Sequence, residues 1–123
     1  MEIGRLQRPS PRQFEEQYLL PGRPVVLTGL VDQWPSFADW SLDWFDRLYG
    51  NLRLTANNSL EGRREVQVGE YLRDIDHTSL YLDALPLTRL AGMAEAIQVP
   101  EYCPRDRPTE VLVWVGPGGT CLD

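Results

Sequence analysis

Apolar residues spaced three or four apart predict several helices along the chain. Ser10 is expected to cap a first helix, because Pro11 suits the first helical position and Pro21 ends the segment. Ser41 is expected to cap a second helix that ends at Gly50. The apolar face of this second helix is predicted at Leu42, Phe45 and Leu48. Two further helical faces are predicted at Val68, Tyr71, Leu72 and Ile75 and at Leu87, Leu90, Ala91 and Ala94.

Short apolar or alternating runs between these helices predict four strands. Residues 24–29 are expected to form a buried strand, residues 51–56 a half-buried one, and residues 80–82 a third. Residues 111–115 are apolar on both faces, so this strand is predicted to be central in a sheet. A central strand needs neighbours on both edges, and few strands precede this one. The pattern therefore predicts an α+β fold, and further strands of this fold are expected to follow in the sequence.

The composition is that of an ordinary globular chain. It has 123 residues and a net charge of -6, and all 12 basic residues are arginine. Without a basic cluster, no nucleic-acid-binding patch is predicted. No apolar run is long enough to cross a membrane, and no signal peptide is evident, so a cytoplasmic location is expected. Cys103 and Cys121 have no framework spacing and are predicted to be reduced thiols.

Five segments, taken in order, resemble the JmjC-like, cupin-like oxygenases of the factor-inhibiting-hypoxia type. They are residues 24–29 with Trp34-Pro35 and Trp40, residues 49–56, residues 80–83, residues 99–102, and residues 113–120. Each segment alone is a weak match, but their order and spacing together are specific and span nearly the whole chain. The resemblance implies a double-stranded β-helix, or jelly-roll barrel, with flanking helices. It also implies that residues 1–123 are the N-terminal part of one such domain, with no internal boundary.

The resemblance implies a chemistry that depends on Fe(II) and 2-oxoglutarate. Two histidines and one carboxylate hold the iron in this family and leave positions open for 2-oxoglutarate and O₂. The metal motif His-x-Asp is expected to begin two residues past Asp123, so no metal ligand and no catalytic residue is assigned within the chain. The chain by itself is therefore expected to bind neither cofactor and to be inactive. Its parent is expected to hydroxylate a protein side chain, with a small-molecule substrate left open.

Three positions are candidates for a role in the site. Tyr81 and Asp83 are two apart on a predicted strand, so they share a face that Leu80 and Leu82 do not. The resemblance implies that the Tyr81 hydroxyl binds 2-oxoglutarate and that Asp83 faces the substrate; the alternatives are a packed tyrosine and a strand-end turn residue. Thr120 is a second cofactor-binding candidate, with a turn residue as its alternative. Leu122 stands where relatives carry a threonine or serine, which puts 2-oxoglutarate binding in question.

Other hypotheses from the sequence belong to different functional classes. One alternative is that the chain is a non-catalytic binding or dimerisation module that associates through unpaired strands. His77 with Asp74 and Asp76 is a minor metal-site candidate, and a solvated loop histidine is the expected outcome. The four tryptophans are predicted to be core residues, because they are interleaved with apolar positions. They are Trp34, Trp40, Trp44 and Trp114.

Overall fold

A computed structural model describes residues 2–58, 62–106 and 108–118. Contacts divide these residues into two compact units, each built from two separate segments of the chain. The first unit contains the described residues of 1–38 and 92–109, and the second contains those of 39–91 and 110–123. That residues 1–123 are part of one domain without an internal boundary stays a prediction.

The chain forms six strands and four short α-helices in the described ranges. The strands are β1 (Gly4–Gln7), β2 (Val25–Thr28), β3 (Arg53–Asn58), β4 (Gly62–Gln67), β5 (Tyr81–Pro86) and β6 (Leu112–Val115). The helices are α1 (Pro11–Phe14), which continues into a π-helix (Glu15–Leu19), α2 (Leu42–Tyr49), α3 (Val68–Arg73) and α4 (Met93–Ala96). Three 3-10 helices cover Val31–Gln33, Phe37–Asp39 and Leu87–Arg89. The predicted α+β class is confirmed.

In the first unit, β1 and β2 form a two-stranded parallel sheet. The Thr28 hydroxyl donates a hydrogen bond to the Leu6 carbonyl, at 3.2 Å, which ties the two strands together by a side chain. The strand at 24–29 is confirmed, but its predicted burial is wrong, since Val26 is 38% exposed. A sheet of two strands has too little surface to bury both of its faces.

The N-terminal helix of the first unit is capped as the sequence predicts. The Ser10 hydroxyl accepts a hydrogen bond from the Gln13 backbone N–H at 3.1 Å, and Pro11 occupies the first turn. The Tyr102 hydroxyl donates to the Pro9 carbonyl at 2.6 Å, and its ring meets Phe14 edge-on at 5.3 Å. These contacts fasten the loop that carries Tyr102 to the start of α1.

In the second unit, four antiparallel strands form an open sheet in the order β4-β3-β5-β6. Strand β4 is absent from the sequence prediction, because Arg63, Arg64 and Glu65 hide its alternation. Strand β6 was predicted to be central, but among the described residues it pairs only with β5 and lies at the sheet edge. The β5 segment is also longer than the predicted 80–82, and it contains an irregularity between Leu82 and Leu85 where Ala84 has a φ of 48°.

One face of this sheet is buried. Leu54, Ala56, Leu82 and Leu85 lie on it, which confirms the predicted alternation at Leu54 and Ala56. Leu52, which was predicted on the same side, lies before β3 and is exposed. Helix α3 supplies Val68, Tyr71 and Leu72, all buried as the helical spacing predicts. The Tyr71 hydroxyl is within hydrogen-bond distance of the Leu80 and Val115 carbonyls, at 2.9 and 3.0 Å. Tyr71 therefore connects α3 to both β6 and the start of β5.

Two helix predictions need correction. Ser41 caps α2 by accepting from the Trp44 backbone N–H at 3.1 Å, but Leu42 and Leu48 are exposed, and Phe45 and Tyr49 form the buried face instead. The predicted helix over Leu87, Leu90, Ala91 and Ala94 is wrong. A 3-10 helix at Leu87–Arg89 is followed by Gly92 in a left-handed conformation, with a φ of 81°, and only then by α4. No helix among the described residues is long and apolar enough to span a bilayer.

Candidate functional site

The open face of the four-stranded sheet carries polar and aromatic side chains that alternate with the buried ones. Asn57 lies opposite Tyr81 on β5 and opposite Arg63 on β4. Asp83 follows two residues after Tyr81 on the same strand. Because strand side chains alternate between faces, these residues share one surface. We call the surface formed by Asn57, Tyr81, Asp83 and Trp114 the open face.

Tyr81 is half-buried on this face. Leu80 and Leu82 are buried, so the predicted separation of the two sides of the strand is confirmed. In the described part of the chain the Tyr81 hydroxyl makes no hydrogen bond, unlike the Tyr71 hydroxyl, which finds carbonyl partners. The hydroxyl can therefore donate a hydrogen bond to a ligand. Its assignment to 2-oxoglutarate stays a prediction.

Asp83 is held in place by a neighbouring strand. The Asn57 amide donates a hydrogen bond from Nδ2 to Oδ2 of Asp83 at 3.3 Å, and the carboxylate is half-buried. Asp83 lies inside β5, which runs from Tyr81 to Pro86, so its alternative assignment as a strand-end turn residue is wrong. One carboxylate oxygen remains for another partner. The substrate-facing role of Asp83 stays a prediction.

Trp114 lies on the open face, although its apolar surroundings in the sequence predict a core position. Its neighbours Val113 and Val115 pair with Leu85 and Leu82 on the buried face, so Trp114 points the other way, and it is 53% exposed. Strand β5 has two residues, Asp83 and Ala84, between those pairs, where β6 has only Trp114. Such a bulge re-aims side chains and is common beside active sites. The alternation of β6 was visible in the sequence, but its apolar composition concealed which side faces solvent.

The other tryptophans are also less buried than predicted. Trp40 is 42% exposed and stacks on Trp44 with the ring centroids 5.9 Å apart. This pair lies at the start of α2, and Trp44 also meets Tyr49 edge-on at 6.5 Å. The predicted core role is therefore wrong for Trp40 and Trp114, while Trp34 and Trp44 are half-buried.

An ion pair borders the open face. Arg53 Nε donates to Glu65 Oε1 at 2.7 Å across β3 and β4. This hydrogen bond, together with the charge of Glu65, raises the pKa of Arg53. Both side chains are solvent-exposed, so the pair adds little to stability and serves mainly to fix the hairpin.

The described residues do not fit an iron centre. No group of three histidine, cysteine, aspartate or glutamate side chains comes together among them. His77, the one histidine of the chain, lies in the turn after α3, where its backbone N–H donates to the Asp74 carbonyl at 2.9 Å. The minor metal site at His77, Asp74 and Asp76 therefore gains no support. Thr120, Cys121 and Leu122 lie outside the described residues, and Cys103 is a free thiol.

Sequence comparison relates almost the whole chain to known proteins. It is 30% identical to lysine-specific demethylase 8 of Xenopus tropicalis over 96% of its length. It is 26% identical to arginine-specific demethylase JMJ22 of Arabidopsis thaliana, again over 96% of its length, and 26% identical to JmjC domain-containing protein E of Dictyostelium discoideum over 50%. No family model matches the chain. The chain spans 30% of the Xenopus protein and 25% of the Arabidopsis protein, so less than a third of either.

Proposed function

Because this chain belongs to the JmjC-like family of iron(II)- and 2-oxoglutarate-dependent oxygenases, we propose that its open face is one wall of an oxygenase site. The observation that carries the proposal is the placement of Tyr81 and Asp83. Both lie on the open face, and within the described ranges the Tyr81 hydroxyl and one carboxylate oxygen of Asp83 make no hydrogen bond. In this arrangement Tyr81 donates a hydrogen bond to 2-oxoglutarate, and Asp83 contacts the substrate.

The substrate we propose is a positively charged side chain of a protein, oxidised at a C–H bond. Two relatives are named as demethylases specific for lysine and for arginine. Asp83 supplies a negative charge on the open face, and Trp114 on the adjacent strand supplies an exposed aromatic ring. A carboxylate and an indole face both attract cations. Asn57 is the positioning residue here, because its amide fixes one oxygen of Asp83.

The 123 residues do not complete the chemistry by themselves in this proposal. A facial triad needs two histidines and a carboxylate, and the chain contains one histidine. The bound iron would supply O₂ activation, and its ligands belong to other parts of an intact oxygenase. Tyr81 and Asp83 then bind and orient the molecules that react.

A chimera tests this proposal. The segment of Xenopus lysine-specific demethylase 8 that matches this chain is replaced by residues 1–123, and succinate formation from 2-oxoglutarate is measured with Fe(II). We expect turnover by the chimera and none by the 123-residue chain alone. A folded chimera that binds Fe(II) but forms no succinate would contradict the proposal, as would turnover by the chain alone.

Variants of the chimera assign the two residues. Tyr81→Phe should raise the KM for 2-oxoglutarate about tenfold, because a hydrogen bond to a charged group is lost. Asp83→Asn should raise the KM for the protein substrate and leave that for 2-oxoglutarate unchanged. Tyr18→Phe and Asp43→Asn are matched controls outside the open face, and neither should change either constant. If Tyr81→Phe behaves like Tyr18→Phe, Tyr81 does not bind 2-oxoglutarate.

A second candidate function is a binding or dimerisation module. The two edges of the four-stranded sheet differ, since β4 carries Arg63, Arg64 and Glu65 whereas β6 has no charged residue. Charged residues on an edge strand prevent pairing with other chains, so the β6 edge is the unprotected one. Light scattering on the 123-residue chain decides: a discrete dimer that Trp114→Lys, a change at the exposed side chain of β6, converts to a folded monomer supports this function. A wild-type monomer refutes dimerisation.

A further inference from the structure

The first unit contains a cavity of about 810 Å³ that the proposed oxygenase chemistry does not use. It is lined by Arg8, by residues 29, 30, 33 and 34, by residues 98–105 and by Thr109. This volume lies within the range of small-molecule sites, roughly 300–1,000 Å³. We propose that this cavity binds a small organic monocarboxylate with an apolar body, held by the guanidinium groups of Arg8 and Arg105.

Arg8 is fixed in an unusual conformation at the cavity. Its φ is 43°, in the left-handed region that non-glycine residues seldom adopt. Its Nε donates to the Gly29 carbonyl at 2.5 Å, and its backbone N–H donates to the Thr28 carbonyl at 3.1 Å. Backbone strain of this kind persists only where surrounding contacts enforce it, and it concentrates at binding sites.

The charge around the Arg8 guanidinium is only partly balanced. Nη2 of Arg8 is 3.9 Å from Oδ1 of Asp32, too far for a hydrogen bond. The cavity lining includes a second guanidinium, that of Arg105, and one carboxylate, that of Glu101. Arg105 has no ion pair among the described residues. A ligand with one negative charge fits this lining better than a neutral or doubly charged ligand, because a planar guanidinium binds a carboxylate through two parallel hydrogen bonds.

The rest of the lining accommodates an apolar body. Trp34 and Tyr102 are half-buried aromatic side chains in the lining, with Leu30 and Val99. The Tyr102 ring is held by its hydrogen bond to Pro9 and by the Phe14 ring, so it presents a fixed surface. Side chains fixed in advance lose little conformational entropy when a ligand binds. A charged end and a ring in one ligand would match both parts of the cavity.

Benzoate and benzamide separate charge recognition from ring binding, because the two have nearly the same shape and differ by one charge. Each is titrated into the 123-residue chain, and binding is followed by tryptophan fluorescence and by amide chemical shifts of residues 98–106. We expect saturable benzoate binding with a Kd of about 1 mM or tighter, and benzamide binding at least tenfold weaker. The shifts should concentrate in residues 29–34 and 98–105.

Three arginine variants complete the test. Arg105→Gln should weaken benzoate binding about tenfold without changing the far-UV circular dichroism, because Arg105 has no ion pair to lose within the described ranges. Arg8→Lys keeps a positive charge but loses the planar guanidinium that forms two parallel hydrogen bonds. It should weaken benzoate binding less than Arg105→Gln does. Arg89→Gln, an exposed arginine outside the cavity, is the control and should change nothing. Equal affinity for benzoate and benzamide, no saturable binding, or an unchanged affinity in Arg105→Gln would each overturn the proposal.

Discussion

The two compact units of this chain bury their apolar residues to very different extents. In the second unit the sheet and the helices enclose large side chains such as Leu80, Leu82 and Leu90 almost completely. Among the described residues of the first unit, the buried apolar side chains are Met93, Ala96 and the ring of Pro9. The first unit also exposes Ile3, Leu19, Leu20, Val26 and Val31.

The difference shows that a hydrophobic pattern predicts elements better than it predicts burial. Strands β2 and β3 are both predicted correctly from their apolar residues. Only β3 lies in a four-stranded sheet, which is broad enough to have one buried face. A two-stranded parallel sheet cannot form a core alone, because parallel sheets are normally covered on both faces. The first unit instead relies on polar contacts, including the Tyr102 to Pro9 and Arg8 to Gly29 hydrogen bonds.

The largest expected effect comes from deleting a core side chain in the second unit. Leu82 is 0% exposed, so Leu82→Ala should lower the free energy of unfolding by about 3 kcal/mol, through lost burial and the cavity left behind. Urea denaturation followed by tryptophan fluorescence measures this. Leu20→Ala in the first unit is the matched control, because Leu20 is 73% exposed and should lose less than about 0.5 kcal/mol. Similar losses in the two variants would remove the contrast between the units.

Removing the Tyr71 hydroxyl should have the next largest effect. Tyr71→Phe leaves the Leu80 and Val115 carbonyls without this donor in a buried site, and the expected loss is about 1.5 kcal/mol. The same denaturation experiment measures the loss, and hydrogen exchange should rise in β6 more than in β3. A variant as stable as wild type would show that water or another donor replaces the hydroxyl.

Tyr102→Phe is the corresponding change in the first unit, and a smaller effect is expected. The Tyr102 hydroxyl makes one short hydrogen bond to Pro9, but its side chain is only half-buried, so about 1 kcal/mol should be lost. Proteolysis of the native protein near residues 98–106 reports this local loosening directly. If the Tyr102→Phe variant is cleaved no faster than wild type, polar contacts are not what holds the first unit together.

Much of the fold was predictable from local patterns. The caps Ser10 and Ser41, the helical face of α3 and the alternation of β3 all follow from short-range rules, and the structure confirms them. Strand β4 could not be predicted, because an edge strand with Arg63, Arg64 and Glu65 looks like a charged loop. The helix predicted at Leu87 to Ala94 failed because Gly92 adopts a left-handed conformation there, which the spacing of apolar residues does not reveal.

The candidate site was predicted less completely than the fold. The shared face of Tyr81 and Asp83 follows from the two-residue period of a strand. The other residues of that face cannot be predicted in this way. Asn57 contacts Asp83 from the neighbouring strand, and Trp114 faces outward because of the register in which β6 pairs with β5. Contacts between distant segments decide which polar group is free and which is satisfied, and a single sequence does not specify them.

The smallest effect that separates the units is a dependence of stability on alkaline pH. Burial raises the pKa of Tyr71 above its ordinary value, while a backbone hydrogen bond from Leu82 acts weakly in the opposite direction. Near pH 10 the unfolded chain therefore begins to lose the Tyr71 proton while the folded chain retains it, so the unfolded state binds fewer protons and stability falls as pH rises. The contribution is fully present below that pH and is lost as pH rises toward the folded pKa.

The difference in unfolding free energy between wild type and Tyr71→Phe should thus be constant from neutral pH to about pH 9 and shrink above about pH 10. A wild-type advantage over Tyr71→Phe that grows above pH 10 would mean that ionised Tyr71 is stabilised in the folded state, and the buried hydroxyl would then have to be described differently.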